Sequence, residues 1–188
     1  GRSQTGLVCG STVEDYNNDV IKKHEFTRPE KENDRINHIK ISGAQTGNVF
    51  MAYRDVAAVN TIINEWKASN KPVYDFKADD GIQHSIWIVD ADTTVNAITN
   101  LFKTDVPFTY IADGHHRAAS AAKVSKALPQ STEAKYFLTT IFPASELVIL
   151  YYNRLVKDLN GLTAEYLFSQ LQDGFFITLS SEAVKPSQ

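Results

Sequence analysis

The sequence predicts an α+β fold in which a mixed sheet with hairpins packs against helices. Short apolar stretches of strand character alternate with longer segments of helical periodicity. Two pairs of strands are joined by short polar turns, and such hairpins interrupt the regular strand–helix alternation of a doubly wound sheet. The chain has 188 residues, of which 43% are hydrophobic, and is therefore long enough to bury a core.

Hydrophobic periodicity and turn residues define the predicted elements. Helices are assigned where apolar residues recur at intervals of three and four, and hairpins where a turn such as Asp79-Asp80-Gly81 joins two apolar stretches. In chain order the predictions are a strand at Gln4–Gly10, a strand at Val49–Tyr53, a helix at Val56–Ala68, a hairpin of Val73–Ala78 with Ile82–Val89, a helix at Thr93–Lys103, a strand at Phe108–Ala112, a helix at Ala118–Leu128, a hairpin of Tyr136–Phe142 with Leu147–Tyr151, a helix at Thr163–Gln172 and a strand at Phe175–Leu179.

A further helix is predicted in the charged region between the first two strands. Thr27 and Glu30 stand at capping-box spacing, and Pro29 falls in the first turn, where proline is tolerated. The expected apolar stripe of this helix consists of Ile36, Ile39 and Ile41.

Composition narrows the class of protein. The formal net charge of −3 argues against a protein that coats nucleic acid. No apolar run approaches the roughly 20 residues that a membrane span needs. Cys9 is the single cysteine, so no internal disulfide forms and a reducing compartment is expected. We therefore expect a cytoplasmic protein that binds small molecules, neither nucleic acid nor membranes, with homo-oligomer formation left open.

The segment from Tyr110 to Arg117 is predicted to lead from a strand through a tight turn into a helix. His115, His116 and Arg117 then lie in the first turn, where backbone N–H groups lack partners and the helix dipole is positive. Hydrogen-bond donors at such an end favour phosphate or carboxylate binding. Asp113 is expected either to cap the helix or to face the ligand as a base or a magnesium anchor. An N-capped helix with two surface histidines is the simpler structural alternative.

A second dense group of polar residues lies just before and within the charged helix. His24 and Glu25 precede the helix beside several cations, and this combination suits proton abstraction next to an anion. Arg28, Glu32 and Arg35 are spaced by four and three residues and therefore share one face. A solvated, salt-bridged surface helix is the simpler alternative.

Three polar tracts along the chain together carry a family resemblance. They are Ile21–Glu25 followed by Thr27-Arg28, Lys31-Glu32 and Asp34-Arg35, then Tyr110–Arg117, then Asn153–Leu159. With these tracts the chain resembles the family called domain of unknown function 1015, which is similar to the ParB and sulfiredoxin superfamily and its free-serine kinases. The resemblance implies a ParB/sulfiredoxin-like core within an internal fragment of a longer chain. We interpret residues 1–188 as a single α+β domain with a charged-motif half, Gly1–Ala68, and a ParB-like half, Lys71–Leu179.

The resemblance also implies roles for particular positions. In ParB-like folds a Gly-x-x-Arg segment at a helix start holds nucleotide phosphates, and Gly114 to Arg117 matches it. The position of the catalytic cysteine of sulfiredoxin is His115 here, so reduction of sulfinic acids is not expected. A glutamate is the base in the related serine kinases; Glu25 is the candidate, with Glu32 as the alternative.

Residues and resemblance together predict a kinase-like phosphotransferase acting on a small hydroxylated metabolite such as free L-serine. Phosphoryl transfer needs positioning and charge neutralisation, and the expected cofactor is Mg²⁺ with a nucleotide or pyrophosphate donor. The catalytic candidates are Glu25, His24, Asp113 and His115. The candidates for phosphate and substrate binding are Lys23, Thr27, Arg28, Glu32, Arg35, Gly114, His116, Arg117 and Arg154. No metal ligand set is assigned.

This hypothesis requires that the loop at His24 approaches the helix start at His115, and we predict that contact. Two other functions stay open. One is a metal-dependent phosphohydrolase that uses His24, Asp113, His115 and His116 as ligands and water as the acceptor. The other is a nucleotide-sensing module that binds without turnover.

Overall fold

The computed structural model describes residues 2–150 and 154–182. The chain divides into two compact units, Gly1–Leu147 and Val148–Gln188. The first unit contains elements from both of the halves that the sequence suggested, and the division into those halves stays a prediction.

Strands and helices alternate irregularly along the first unit. In chain order they are β1 Leu7–Thr12, α1 Val13–Asn17, β2 Ile21–Lys22, α2 Pro29–Ser42, β3 Val49–Tyr53, α3 Ala57–Ser69, β4 Tyr74–Lys77, β5 Gln83–Ile86, α4 Asp92–Asp105, β6 Thr109–Asp113, α5 His115–Ala127, a 3₁₀ turn Glu133–Lys135, β7 Tyr136–Pro143 and a 3₁₀ turn Ala144–Glu146.

Five of these strands form one mixed sheet in the order β1-β7-β3-β6-β2. The pairs β1–β7 and β3–β6 are antiparallel, whereas β7–β3 and β6–β2 are parallel. Strands β4 and β5 pair separately as an antiparallel hairpin, as predicted. The α+β class with a mixed sheet and packed helices is therefore confirmed.

The core lies where the central strands meet α5. Side chains alternate along β3, so Val49, Met51 and Tyr53 are buried while the residues between them are partly exposed. The buried small residues Ala118 and Ala121 let α5 approach this layer closely. Burial of each large apolar side chain stabilises the fold by about 1.5–3 kcal/mol relative to exposure. The core thus fixes α5, and with it the helix start that the sequence singled out.

The predicted hairpin of Tyr136–Phe142 with Leu147–Tyr151 is wrong. β7 ends at Pro143 and continues into a 3₁₀ turn, and residues 147–150 form no strand, while Tyr151 lies outside the described residues. Because β7 is paired with β1 on one side and β3 on the other, it has no free edge for a returning strand.

The predicted start of α2 is also wrong in detail. Arg28 rather than Thr27 is the N-cap residue, and the Thr27 hydroxyl donates instead to the carboxylate of Glu32. Ile41 is 88% exposed and does not belong to the apolar stripe, because it follows the half-buried Ile39 by two residues and thus by roughly 200° around the helix.

The second unit contains one helix in its described part, α6 at Ala164–Leu171. The Thr163 hydroxyl caps it by accepting the backbone N–H of Tyr166, and the helix predicted at Thr163–Gln172 is confirmed. The predicted strand at Phe175–Leu179 is wrong, because the described residues of this unit offer no strand to pair with it. None of the described helices combines the length and the apolar character needed to cross a membrane.

Candidate functional site

The start of α5 is shaped by a glycine in the left-handed region. Strand β6 ends at Asp113, Gly114 follows with φ = 98°, and the helix begins at His115. A Cβ atom at position 114 would lie 2.9 Å from Nε and Nη2 of Arg117. Glycine is therefore required both for the backbone conformation and for the close passage of the arginine side chain.

Asp113 does not cap this helix, which corrects one of its two predicted roles. Gly114 is the N-cap residue, and no side chain caps it. The Asp113 side chain is 73% exposed, and its Oδ2 accepts a 2.6 Å hydrogen bond from Arg117 Nη2. The ion pair therefore joins the last residue of β6 to the first turn of α5 across the turn at Gly114.

The predicted contact between the two polar tracts is confirmed. Strands β2 and β6 are parallel neighbours, so the residues that follow them emerge at the same edge of the sheet. The rings of His24 and His115 meet edge to face with centroids 4.4 Å apart. The backbone N–H of His24 also donates to Nε2 of His115 across 3.5 Å.

Glu25 contacts the other nitrogen of the same buried ring. Its Oε2 lies 3.3 Å from Nδ1 of His115, whose side chain is 3% exposed, whereas the Glu25 side chain is 58% exposed. Burial, with a contribution from nearby His24, lowers the pKa of His115 below its usual 6.5 despite the opposing effect of Glu25. The neutral ring accepts at Nε2 and therefore donates from Nδ1 to the carboxylate.

A second link ties the same loop to the helix. The backbone N–H of Arg28 donates to Nε2 of His116 across 3.0 Å. Consecutive histidines of α5 thus accept backbone N–H groups from both ends of the segment 24–28. The segment that contains Glu25 is thus anchored to α5 on both sides of this residue, while most of the Glu25 side chain stays exposed.

Glu32, the alternative base, lies in a different environment. Its side chain is 6% exposed and pairs with Nζ of Lys123 and with the Thr27 hydroxyl. Hydrogen bonds from Lys123 and Thr27 hold the pKa of Glu32 below its usual 4.5. Ser120 donates to the backbone oxygen of Glu32 at 3.2 Å, so this contact joins α2 to α5. A cavity of about 490 Å³ adjoins the pair.

Lys23 is held away from the histidine cluster. Its Nζ donates to the backbone oxygen of Tyr16 at 2.7 Å, lies 4.4 Å from the centroid of the Tyr16 ring and is 3.8 Å from Asp19 Oδ1. Those partners lie on α1 and the turn after it, so the structure does not bring Lys23 together with Glu25.

Arg35 and Arg117 line the same cavity, which has a volume of about 100 Å³ and lies between α2, the loop before β3 and the start of α5. His38 lines it as well, one helical turn after Arg35. Sequence reasoning missed His38 as a site residue, although its spacing of three from Arg35 was the available signal.

Arg154 belongs to the second unit, and its role stays a prediction; Asn153 lies outside the described residues. Across residues 2–150 and 154–182, no group of three or more His, Cys, Asp or Glu side chains is arranged to hold a metal ion. The ligand set of the hydrolase alternative, His24, Asp113, His115 and His116, therefore does not assemble.

Comparisons with known proteins give one finding. The model of a family described as "Protein of unknown function (DUF1015)" matches residues 1–188. No curated protein and no solved structure matches the chain.

Proposed function

This chain belongs to the DUF1015 family, and we propose that it is a kinase-like phosphotransferase acting on a small hydroxylated metabolite, with free L-serine as the favoured acceptor. The observation that carries the proposal is the contact of the exposed Glu25 carboxylate with the buried, neutral His115 at the start of α5. The proposal keeps the resemblance to ParB-like folds, in which a Gly-x-x-Arg segment holds nucleotide phosphates, and Gly114 to Arg117 is the matching segment here. The cytoplasmic location and any homo-oligomer stay predictions.

Glu25 is the proposed general base. Its carboxylate takes the proton of the acceptor hydroxyl as that oxygen forms a bond to phosphorus, and the bond from phosphorus to the leaving oxygen breaks with its electron pair on the donor product. A neutral imidazole orients the carboxylate without cancelling its negative charge. We therefore assign His115 a positioning role, since both of its ring nitrogens already have partners.

Glu32 fits the role of base poorly. A proton acceptor must be reachable by substrate, and Glu32 is buried against Lys123 and Thr27. These partners stabilise its ionised form, so the carboxylate has little tendency to take up a proton. The geometry therefore favours Glu25 between the two glutamates that the sequence left open.

Cationic and amide groups around the helix start are the proposed phosphate ligands. Arg117 follows His116 in the chain, and Arg28 contacts His116 through its backbone N–H, so both arginines belong to the segments that meet here. Mg²⁺ in phosphoryl-transfer sites takes one or two carboxylates together with substrate phosphates. The exposed carboxylate at this helix start is that of Asp113, whose Oδ2 pairs with Arg117 Nη2. Mg²⁺ bound there would neutralise charge on the donor.

The test is phosphorus NMR of the protein with Mg²⁺ and L-serine, with ATP, ADP and pyrophosphate offered in separate samples. A phosphoserine signal that needs serine, and that disappears in Glu25→Gln, supports the proposal. The matched control is Glu30→Gln, an exposed glutamate in the first turn of α2. Donor breakdown without phosphoserine would move the assignment to hydrolysis, and tight donor binding without any product would move it to a nucleotide sensor.

A further inference from the structure

The cavity between α2, the loop before β3 and α5 has the composition of an oxyanion site. Among its described lining residues are two arginines, one histidine and no acidic side chain, the members being Arg35, His38, Ile39, Gln45, Thr46, Gly47, Val49 and Arg117. Guanidinium groups form the strongest hydrogen bonds to phosphate and carboxylate oxygens.

Arg117 is positioned at this cavity by its neighbours. A Cβ atom at Gly47 would lie 3.4 Å from Arg117 Cδ, and one at Gly114 would lie 2.9 Å from its Nε, so the side chain runs between two glycines. Its Nη2 is paired with Asp113. Its Nε is buried and lacks an acceptor among the described residues. A buried donor without a partner costs free energy, and an oxyanion reaches this nitrogen only when the Arg117 side chain shifts toward the cavity.

The opposite wall is tied to the sheet. The side-chain amide of Gln45 donates to the backbone oxygen of Tyr136 at 2.9 Å, and its oxygen accepts the N–H of Leu138 at 2.8 Å. These bonds fix the loop to β7. The two arginines thus line a cavity whose loop wall is anchored before any ligand binds.

Size limits what the cavity takes. Its volume of about 100 Å³ is a small fraction of the roughly 300–1,000 Å³ that drug-sized ligands occupy. It corresponds to about three waters at roughly 30 Å³ each, which is room for one phosphoryl group but not for a nucleoside.

We propose that the cavity formed by Arg35, His38 and Arg117 binds a single phosphoryl group. The group is either free orthophosphate or the terminal phosphate of a donor, and the second case rests on the proposed function. In that case the nucleoside or leaving group of the donor lies outside this cavity.

Isothermal titration calorimetry with inorganic phosphate and with pyrophosphate tests the site. We expect Arg35→Gln and His38→Gln to bind phosphate less tightly, with at least about a tenfold loss for Arg35→Gln. The matched control is Lys40→Gln, which removes an exposed cation of α2 that does not line the cavity. Arg35 and His38 are both exposed on α2, and thermal unfolding of each variant verifies that it is folded.

Competition between the two anions identifies the source. If pyrophosphate displaces phosphate and its binding is weakened by Arg35→Gln, the site takes a terminal phosphoryl group; if it does not displace phosphate, the occupant is orthophosphate. Absent binding, or equal losses in Arg35→Gln and Lys40→Gln, would overturn the site. Since no acceptor or turnover is involved, failure of serine phosphorylation and failure of this site are separate results.

Discussion

The polar segment that begins at His24 meets α5 at two places of opposite character. At the first turn of α5, Glu25 contacts a neutral histidine and keeps 58% of its side chain exposed. Two turns further along α5, Glu32 is 6% exposed and contacts the ammonium group of Lys123. Both contacts join the same segment to the same helix through a glutamate.

The comparison shows how the surroundings of a glutamate decide whether its carboxylate serves as a base or as a structural contact. A carboxylate beside a neutral donor in water remains able to accept a proton. A buried carboxylate that accepts hydrogen bonds from an ammonium group and a hydroxyl has a structural role, which here is to join two helices. We therefore expect loss of Glu25 to affect catalysis and loss of Glu32 to affect stability.

The largest expected effect is on turnover. Glu25→Gln should lower kcat by about 100- to 10,000-fold, the contribution typical of a general base, while the free energy of unfolding stays near that of the wild type. Phosphoserine formation followed by phosphorus NMR measures the rate, with Glu30→Gln as the control. A rate in Glu25→Gln close to that of the control would remove Glu25 from the reaction.

The buried glutamate gives the next largest effect. Glu32→Ala should lower the free energy of unfolding by about 1–3 kcal/mol, less than for a fully buried pair because the Lys123 side chain is 56% exposed. Urea denaturation measures it, and Lys123→Met completes a double-mutant cycle. Additive losses in the double variant would contradict a direct interaction of Glu32 with Lys123.

The same pair predicts a pH dependence. The folded-state pKa of Glu32 is lowered from 4.5 by its hydrogen bonds to Lys123 and Thr27. Its contribution to stability is therefore present above about pH 4.5 and is lost as the pH falls through the lower folded value. The stability difference between wild type and Glu32→Gln should shrink on acidification, and a constant difference would contradict this assignment.

A smaller effect is expected at the turn that precedes α5. Gly114→Ala should cost more than about 1 kcal/mol of stability, because alanine is strained at φ = 98° and its Cβ atom would meet the guanidinium of Arg117. Gly43→Ala is the matched control, since Gly43 has φ = 66° but no atom within 4 Å of the added Cβ. Equal losses would show that the close passage of Arg117 contributes nothing.

The smallest expected effect concerns the protonation of His115. Burial lowers its pKa in the folded state, so the unfolded chain binds this proton more readily. Its contribution to stability is present above the usual value of 6.5 and is lost as the pH falls through the folded value. Urea denaturation of wild type and His115→Gln between about pH 5 and 8 measures it, and a stability difference that grows on acidification would contradict a neutral His115.

Several features of this chain follow from local patterns in the sequence. β3 agrees with the predicted Val49–Tyr53, and the β4–β5 hairpin forms around Asp79-Asp80-Gly81, because alternation and turn residues act over a few neighbours. The sequence also predicts the approach of His24 to His115, because one ligand is expected to contact both tracts.

Other features depended on partners distant in the sequence. The returning strand after β7 was predicted from apolar residues and a turn, yet β1 and β3 already occupy both edges of β7. Thr27 stood at capping-box spacing but bonds to Glu32, whose position is set by Lys123, 91 residues away. Local spacing carries no information about such competitors.

The sequence by itself determined the α+β class, the family and the two polar tracts, because periodicity, turn chemistry and motif order are properties of short segments. Only the tertiary structure shows that Glu25 is exposed whereas Glu32 is buried, and that Arg35 and Arg117 line the same cavity. The parallel pairing of β2 with β6 and the packing of α2 on α5 decide which charged groups are buried, paired or open to solvent. Burial and pairing arise between segments that are far apart in the chain, and they govern the chemistry of each side chain.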